Sequence, residues 1–194
     1  MQSQTPTSGE TPTLPARPLK IAFINPFNLF DVSSGAALSM RTMLEQLARR
    51  GVSCHALTAC CFDAPPGDRL PALLRGKGLL PSAKIKGHAV PVWQGSASGV
   101  AYTIVQAPSQ QRNQMTAIEE LIFRDAVRAW LTENRPDVVL VFGGLLLDIE
   151  IQRCTRHAGA IVAFYLPNAS YGRPETFAHV DIILTNSDAT KEYY

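Results

Sequence analysis

No stretch of this 194-residue chain is apolar for long enough to cross a membrane. The longest such run, Val138–Leu147, falls far short of the ~20 residues a spanning helix needs. Residues 1–18 (MQSQTPTSGETPTLPARP) lack the apolar core of a signal peptide and, rich in Thr, Pro, Ser and Gln, are predicted to be a disordered leader. The cysteines Cys54, Cys60, Cys61 and Cys154 contain no CxxC, and the adjacent Cys60 and Cys61 cannot present two ligands at zinc-site spacing. Nor do His55, His88, His157 and His179 fall at a metal spacing such as HExxH. Reduced thiols in a cytosolic protein, with no metal and no bound cofactor, are therefore expected. Two nucleotide-loop fingerprints are missing as well. There is no GxGxxG with an acidic residue after the second strand, and no P-loop, which sets NAD enzymes and NTPases aside. The net charge of +2 is too small to point to nucleic acid.

Hydrophobic residues make up 46% of the chain and charged residues 18%, enough apolar material for the core of one domain. Leu19–Asn25 (LKIAFIN) is a nearly continuous apolar run, the pattern of a strand buried on both faces of a parallel sheet. Residues 36–50 place Ala37, Met40, Leu44, Leu47 and Ala48 on one helical face, with Ser33 or Ser34 as cap and Gly51 as stop. Val52–Ala59 is a second strand, so one βαβ unit is complete within about 40 residues. A Pro/Gly-rich stretch follows, with a short helix at Pro71–Gly76 and candidate strands at His88–Trp93 and Val100–Gln106. Thr116 and Glu119 have capping-box spacing, ahead of Ile118, Leu121, Ile122, Ala126 and Trp130 as the expected apolar stripe of a helix ended by Pro136. Asp137–Phe142, Ala160–Leu166 and Val180–Leu184 are further strands, the first two separated by a helix with Leu147, Ile151, Cys154 and Ala158 on one face. Such alternation predicts an α/β fold: a doubly wound, mostly parallel Rossmann-like sheet with helices on both faces, over residues 19–186.

In an open α/β sheet, ligands bind beyond the carboxyl ends of the strands, where loops meet helix N-termini. Here those loops are NPFNLFDVSSGA, GGLLLD, PNASYG and TNSD. The cleft candidates are accordingly Asn25, Ser33, Ser34, Gly35, Gly143, Gly144, Asn168, Ser170 and Tyr171. Ser33-Ser34-Gly35 at a helix start offers amides that hold an anion, although plain capping explains the same residues. Gly143-Gly144 permits either a tight turn or close approach of a ligand. Asn168, Ser170 and Tyr171 supply hydrogen-bonding groups in a loop whose Pro167 and Asn168 are also turn formers. No histidine is assigned to catalysis, and the catalytic residues are unknown at this point.

Between Arg69 and Ile118 the chain contains no acid, while Arg69, Arg75, Lys77, Lys84, Lys86 and Arg112 alternate with leucines. Arg75, Lys77, Lys84 and Lys86 are the candidates for contact with a membrane surface or an anionic acceptor. A solvated loop over the sheet is the competing explanation. Finally, Ser187 suits the cap of a helix, DATKEYY, that ends after about two turns, and residues 187–194 are expected to begin an interdomain helix of a chain that continues.

KIAFINPFNLFDVSSGAALSMRTMLEQLARRGVSCHALTA resembles the opening of the retaining GT-B glycosyltransferases (group 1, family 4-like), nucleotide-sugar-dependent enzymes. RPDVVLVFGG resembles that group's PDVVHAH strand, and VDIILTNSDATKEYY its segment before the interdomain linker. The resemblance implies the N-terminal, acceptor-side domain of a two-domain transferase acting on a glycan or lipid-linked acceptor. The nucleotide-sugar donor would enter as co-substrate, bound mainly by a C-terminal domain that this chain lacks. It implies a cytoplasmic protein, or one peripheral at the inner face of the membrane, and no turnover by residues 1–194 alone. It maps the group's Gly-rich first loop onto Ser33, Ser34 and Gly35, facing the donor phosphates. Serine stands here where a second glycine is common, and Phe142-Gly143-Gly144 stands where a histidine often follows the fourth strand. A free-standing binding module paired with a separate donor-domain chain, or another Rossmann-like nucleotide-sugar enzyme, are the alternatives.

Overall fold

Strand β1 (Lys20–Ile24) lies at the middle of the sheet and is buried on both faces, as its unbroken apolar run dictates. In this computed structural model, which describes residues 17–82, 90–111, 114–143, 147–166 and 174–193, the chain runs on through α1 (Gly35–Arg49) into β2 (Ser53–Ala59), parallel to β1. Helix α2 (Leu70–Gly76), β3 (Leu80–Ser82), β4 (Val92–Ala97) and β5 (Val100–Val105) follow. Then come α3 (Ala117–Asn134), β6 (Val138–Val141), α4 (Asp148–His157), β7 (Ile161–Leu166), β8 (Ile182–Thr185) and α5 (Asp188–Tyr193). The described strands form one eight-stranded sheet in the order β3-β4-β5-β2-β1-β6-β7-β8. Pairing is parallel from β5 through β8, and antiparallel only at the β3-β4-β5 edge.

The sheet is doubly wound. Ile21 and Phe23 of β1 pack with Met40 and Leu44 of α1 and Leu74 of α2 on one face. Ala22 and Ile24 pack with Phe123, Val127 and Trp130 of α3 and Ile151 of α4 on the other. This is the Rossmann-like architecture expected from the alternation of elements. The α1 connection leads from β1 to one side of the sheet, while α3 carries the chain back past β1 to β6, so strand order reverses between β1 and β6.

Local signals hold where they are strongest. Ser34 caps α1 and Gly51 leaves it at φ +85°. Thr116 and Glu119 close the capping box of α3, with Thr116 N donating to Glu119 Oε2 at 2.8 Å and Glu119 N to Thr116 Oγ1 at 3.3 Å. Ser187 Oγ accepts from Thr190 N at 3.3 Å at the start of α5.

Three expectations are corrected and one strand is added. Of the strand foreseen at His88–Trp93, His88 and Ala89 lie outside the described residues, Val90 and Pro91 are not strand, and the strand runs over Val92–Ala97, where Ser98 (φ 51°) and Gly99 (φ 81°) make a two-residue turn into β5. Strand β3 was not foreseen; its three residues pair only with β4 and carry no burial pattern of their own. The face of α3 that packs inward is Phe123, Ala126, Val127, Trp130 and Leu131, while Ile118 (71% exposed), Leu121 and Ile122 face outward. At about 100° per residue the expected set wraps half the helix, so its Ala126 and Trp130 fall on the buried face and its first three residues do not. A fully buried large apolar side chain is worth about 1.5–3 kcal/mol, so the face holding Phe123 and Trp130 takes the core. Helix α4 buries Asp148, Ile151, Gln152 and Thr155 rather than an apolar stripe, with Leu147 and Cys154 half-buried and Ala158 exposed.

Candidate cleft at the sheet reversal

The loop after β1, residues 25–34, is organised by a side-chain repeat. In NPFNLFD, an amide or carboxylate returns every third residue: Asn25, Asn28 and Asp31, all buried. Each uses one oxygen to accept the N–H two residues ahead: Phe27 N at 3.0 Å, Phe30 N at 3.0 Å and Ser33 N at 2.9 Å. Three consecutive Asx turns result. The second polar atom of each reaches a neighbouring strand end. Asn25 Nδ2 donates to Phe142 O at 2.9 Å beyond β6, and Asn28 Nδ2 donates to Ala59 O at 3.2 Å at the end of β2. Asp31 Oδ2 accepts from Asp63 N. Between these polar anchors Phe27, Leu29 and Phe30 are buried in the core. The loop is thus bracketed to the ends of β2 and β6, and it forms a fixed floor at the reversal point.

Above that floor stand Ser33, Ser34 and Gly35. Ser33 is exposed and its hydroxyl donates to Asp31 Oδ1 at 2.6 Å. Ser34 is half-buried and accepts from Ala37 N at a long 3.5 Å. The first intrahelical bond is Leu38 N to Ser34 O at 3.0 Å, so the amides of Gly35 and Ala36 precede the hydrogen-bonded ladder. No acidic residue occupies the first turn of α1, and a Cβ built on Gly35 would meet nothing within 4 Å. The helix start therefore presents its positive dipole end to open space. Arg41 fixes the loop from within α1, donating to Leu29 O at 3.1 Å.

Across the reversal, Phe142 lies 4% exposed, its ring 5.2 Å from Phe23 and 5.8 Å from Phe27. Gly143 is buried beside it. Of the predicted cleft residues, the structure brings Asn25, Ser33, Ser34, Gly35 and Gly143 to this edge, with Asn25 forming the floor. Gly144, Asn168, Ser170 and Tyr171 lie outside the described residues, as do Lys84 and Lys86.

The residues that the sequence reading missed are polar and buried. Asn28 and Asp31 share the three-residue spacing of Asn25, a signal visible in NPFNLFD. Asp148, Gln152 and Thr155 form an i, i+4, i+7 row on α4 that turns inward, and Gln152 Nε2 donates to Thr176 O at 2.9 Å. Their helical spacing was legible, but their polarity argued for solvent.

The basic stretch divides. Leu70, Leu74 and Leu79 point into the core. Arg75 and Lys77 are exposed but lie over aromatic rings, 5.7 Å from the centroid of Trp93 and 5.9 Å from that of Phe30. Of the leucines interleaved with these cations, Leu70, Leu74 and Leu79 are core residues, Leu73 is half-buried and Leu80 is 66% exposed. Burial raises the thiols of Cys54 and Cys60 to about 11 and that of Cys61 to about 12. His55 is lowered by burial and by Lys20, and its ring packs 5.8 Å from Trp130. Among the described residues no group of three or more His, Cys, Asp or Glu gathers where a metal could sit, and no helix is long and apolar enough to cross a membrane.

No protein-family model matches the chain, and no curated protein matches it in sequence. Solved structures do match in fold. A Listeria monocytogenes protein assigned as a UDP-N-acetylglucosamine 2-epimerase aligns over 91% of this chain and 42% of its own, with 13% identity and a TM-score of 0.55. The catalytic domain of starch synthase IV from Arabidopsis thaliana, solved with ADP and acarbose, aligns over 80% of this chain and 35% of its own, with 16% identity and a TM-score of 0.51. The likeness is one of fold, the Rossmann-like fold of GT-B proteins, and the chain spans about two-fifths or less of the length of either.

Proposed function

We propose that this chain is the acceptor-side, N-terminal domain of a nucleotide-sugar-dependent glycosyltransferase that modifies a glycan or lipid-linked acceptor. The observation that carries this reading is the open start of α1 at the sheet reversal. Gly35 and Ala36 amides, an uncrowded Gly35 and an acid-free first turn stand above a floor locked by Asn25, Asn28 and Asp31. Such an end favours an anionic group, and a diphosphate is the anion common to UDP-N-acetylglucosamine and ADP, the nucleotides named for the two solved proteins. In this reading Ser33, Ser34 and Gly35 face the donor phosphates from one wall of a cleft. The second wall is a donor-binding domain, supplied by a longer product of the same gene or by a separate chain. Transfer needs both walls, because alignment of two substrates and exclusion of water require closure.

The Listeria protein favours a second reading: a nucleotide-sugar enzyme that rearranges its substrate without an acceptor. The encoding locus beyond Tyr194 is the first test. A continuation of ~150–200 residues with alternating strands and helices supports a two-domain enzyme. Its product is then incubated with nucleotide sugars with and without candidate acceptors. Acceptor-dependent release of nucleoside diphosphate supports transfer, whereas conversion of the nucleotide sugar without acceptor supports the second reading. Sugar transfer by residues 1–194 alone would overturn the half-cleft assignment.

A further inference from the structure

A groove of about 1070 Å³ lies at the other edge of the sheet, between α3 and α4. Its walls include Arg17, just ahead of β1, Asp137, just ahead of β6, and Ile161, the first residue of β7. All three mark the amino ends of parallel strands, so the groove is distinct from the cleft at the carboxyl ends. Four arginines line it, Arg17, Arg128, Arg135 and Arg153, against two carboxylates, Asp137 and Glu150. The carboxylates are already shared: Arg17 holds Asp137 at 2.7 Å, while Arg128 and Arg153 both reach Glu150, at 2.6 and 3.4 Å. Arg128 also lies 4.0 Å from Asp125, so Arg153 shares Glu150 with an arginine that has a second acid, and Arg135 is exposed with no carboxylate partner among the described residues. Leu131, Pro136 and Ile161 supply an apolar floor beneath these cations.

Arg135 adds an observation of a different kind. It ends α3 in the left-handed region, φ 45° and ψ 63°, where glycine or asparagine is the inexpensive choice. A long cationic side chain thus stands at a position whose backbone alone favours glycine.

We infer that the α3–α4 groove binds a phosphate-bearing ligand, with Arg135 and Arg153 on the phosphate and the apolar floor under the rest of the molecule. Guanidinium groups suit phosphate oxygens because their N–H donors match them in bidentate geometry. The phosphate can belong to a lipid headgroup or to a soluble molecule, and the two sources are separable by experiment.

Cys154 provides the readout. It lines the groove, is half-buried, and its sulfur accepts from Arg128 Nε at 3.4 Å. The other three thiols are buried with raised pKa values, so a maleimide at neutral pH reports on Cys154. Labelling of the full chain is timed with inorganic pyrophosphate, with phosphatidylcholine vesicles containing phosphatidylglycerol, and with phosphatidylcholine vesicles alone. Slowing of at least about threefold by pyrophosphate supports a soluble phosphate ligand, by the anionic vesicles a headgroup, and by both a site for the phosphate itself. Protection is expected to disappear in Arg153→Gln and in Arg135→Gly. The second variant relieves the left-handed strain, so its melting temperature should not fall and its loss of protection cannot be put down to unfolding. Absence of protection by either anionic probe, equal protection by neutral vesicles, or protection that survives in both variants would each overturn the proposal.

Discussion

Asn25 and Phe142 are 117 positions apart, yet the Asn25 carboxamide donates to the Phe142 carbonyl at 2.9 Å across the point where the sheet reverses its winding. The same side chain accepts from Phe27 N at 3.0 Å, so one buried residue sets the turn after β1 and ties it to the end of β6. The loops after β1 and β6, which frame the candidate cleft, are therefore one mechanical unit.

Replacing Asn25 by Ala removes both bonds and leaves the Phe27 amide and Phe142 carbonyl without these partners. A loss of roughly 2–4 kcal/mol is expected, since stranding buried polar groups costs about 1–3 kcal/mol each. Urea denaturation reads it as a lower midpoint at unchanged slope. A loss under about 0.5 kcal/mol would show that the loops do not depend on this tie.

Ser34→Asp separates capping from anion binding. Aspartate caps a helix about as well as serine and suits its dipole, so the melting temperature should hold or rise slightly. A carboxylate at that point would repel a diphosphate, and binding of UDP or ADP to the protein with both cleft walls, measured by calorimetry, should weaken about tenfold. Binding left intact would move the phosphates away from α1.

Glu119 links stability to acid pH. Burial alone would raise its pKa, but hydrogen bonds from the backbone and side chains of Ser109 and Thr116 outweigh that and hold it below the ordinary 4.5. A folded value below the unfolded one contributes stability that is complete above about pH 4.5 and is lost as pH falls through the lower, folded value. Glu119→Gln should be destabilised by roughly 1–3 kcal/mol at pH 7 and show a flatter acid limb. Parallel acid limbs in urea titrations at pH 7 and pH 3 would exclude this role.

Thiol reactivity should divide three to one. Cys54, Cys60 and Cys61 are buried and raised to about 11, 11 and 12, while Cys154 is half-buried on the outer part of α4. At pH 8 in native buffer one equivalent of an aromatic disulfide should react quickly, and four in denaturant. Fast reaction of two or more native thiols would mean that the β2 end opens.

The sequence by itself determined the elements whose cause is local. The apolar run Leu19–Asn25 has the composition of a strand buried on both faces, and Ser34 and the Thr116–Glu119 pair satisfy helix ends with neighbours within three residues. Alternation of such elements was enough for a doubly wound sheet. Only the tertiary structure decided which face each helix buries, how the edge strands pair, and what the polar loop residues do. Ile118 and Phe123 are both apolar and both on α3; the contest was settled by which neighbours could enclose the larger rings. Strand β3 exists because β4 offers it a ladder, not because Leu80–Ser82 has a pattern. Asn25, Asn28 and Asp31 are buried polar residues, and their partners lie at or just beyond the ends of β2 and β6. A hydrogen bond to a residue 117 positions away leaves no periodic trace in the chain, because its partner is chosen by the sheet order.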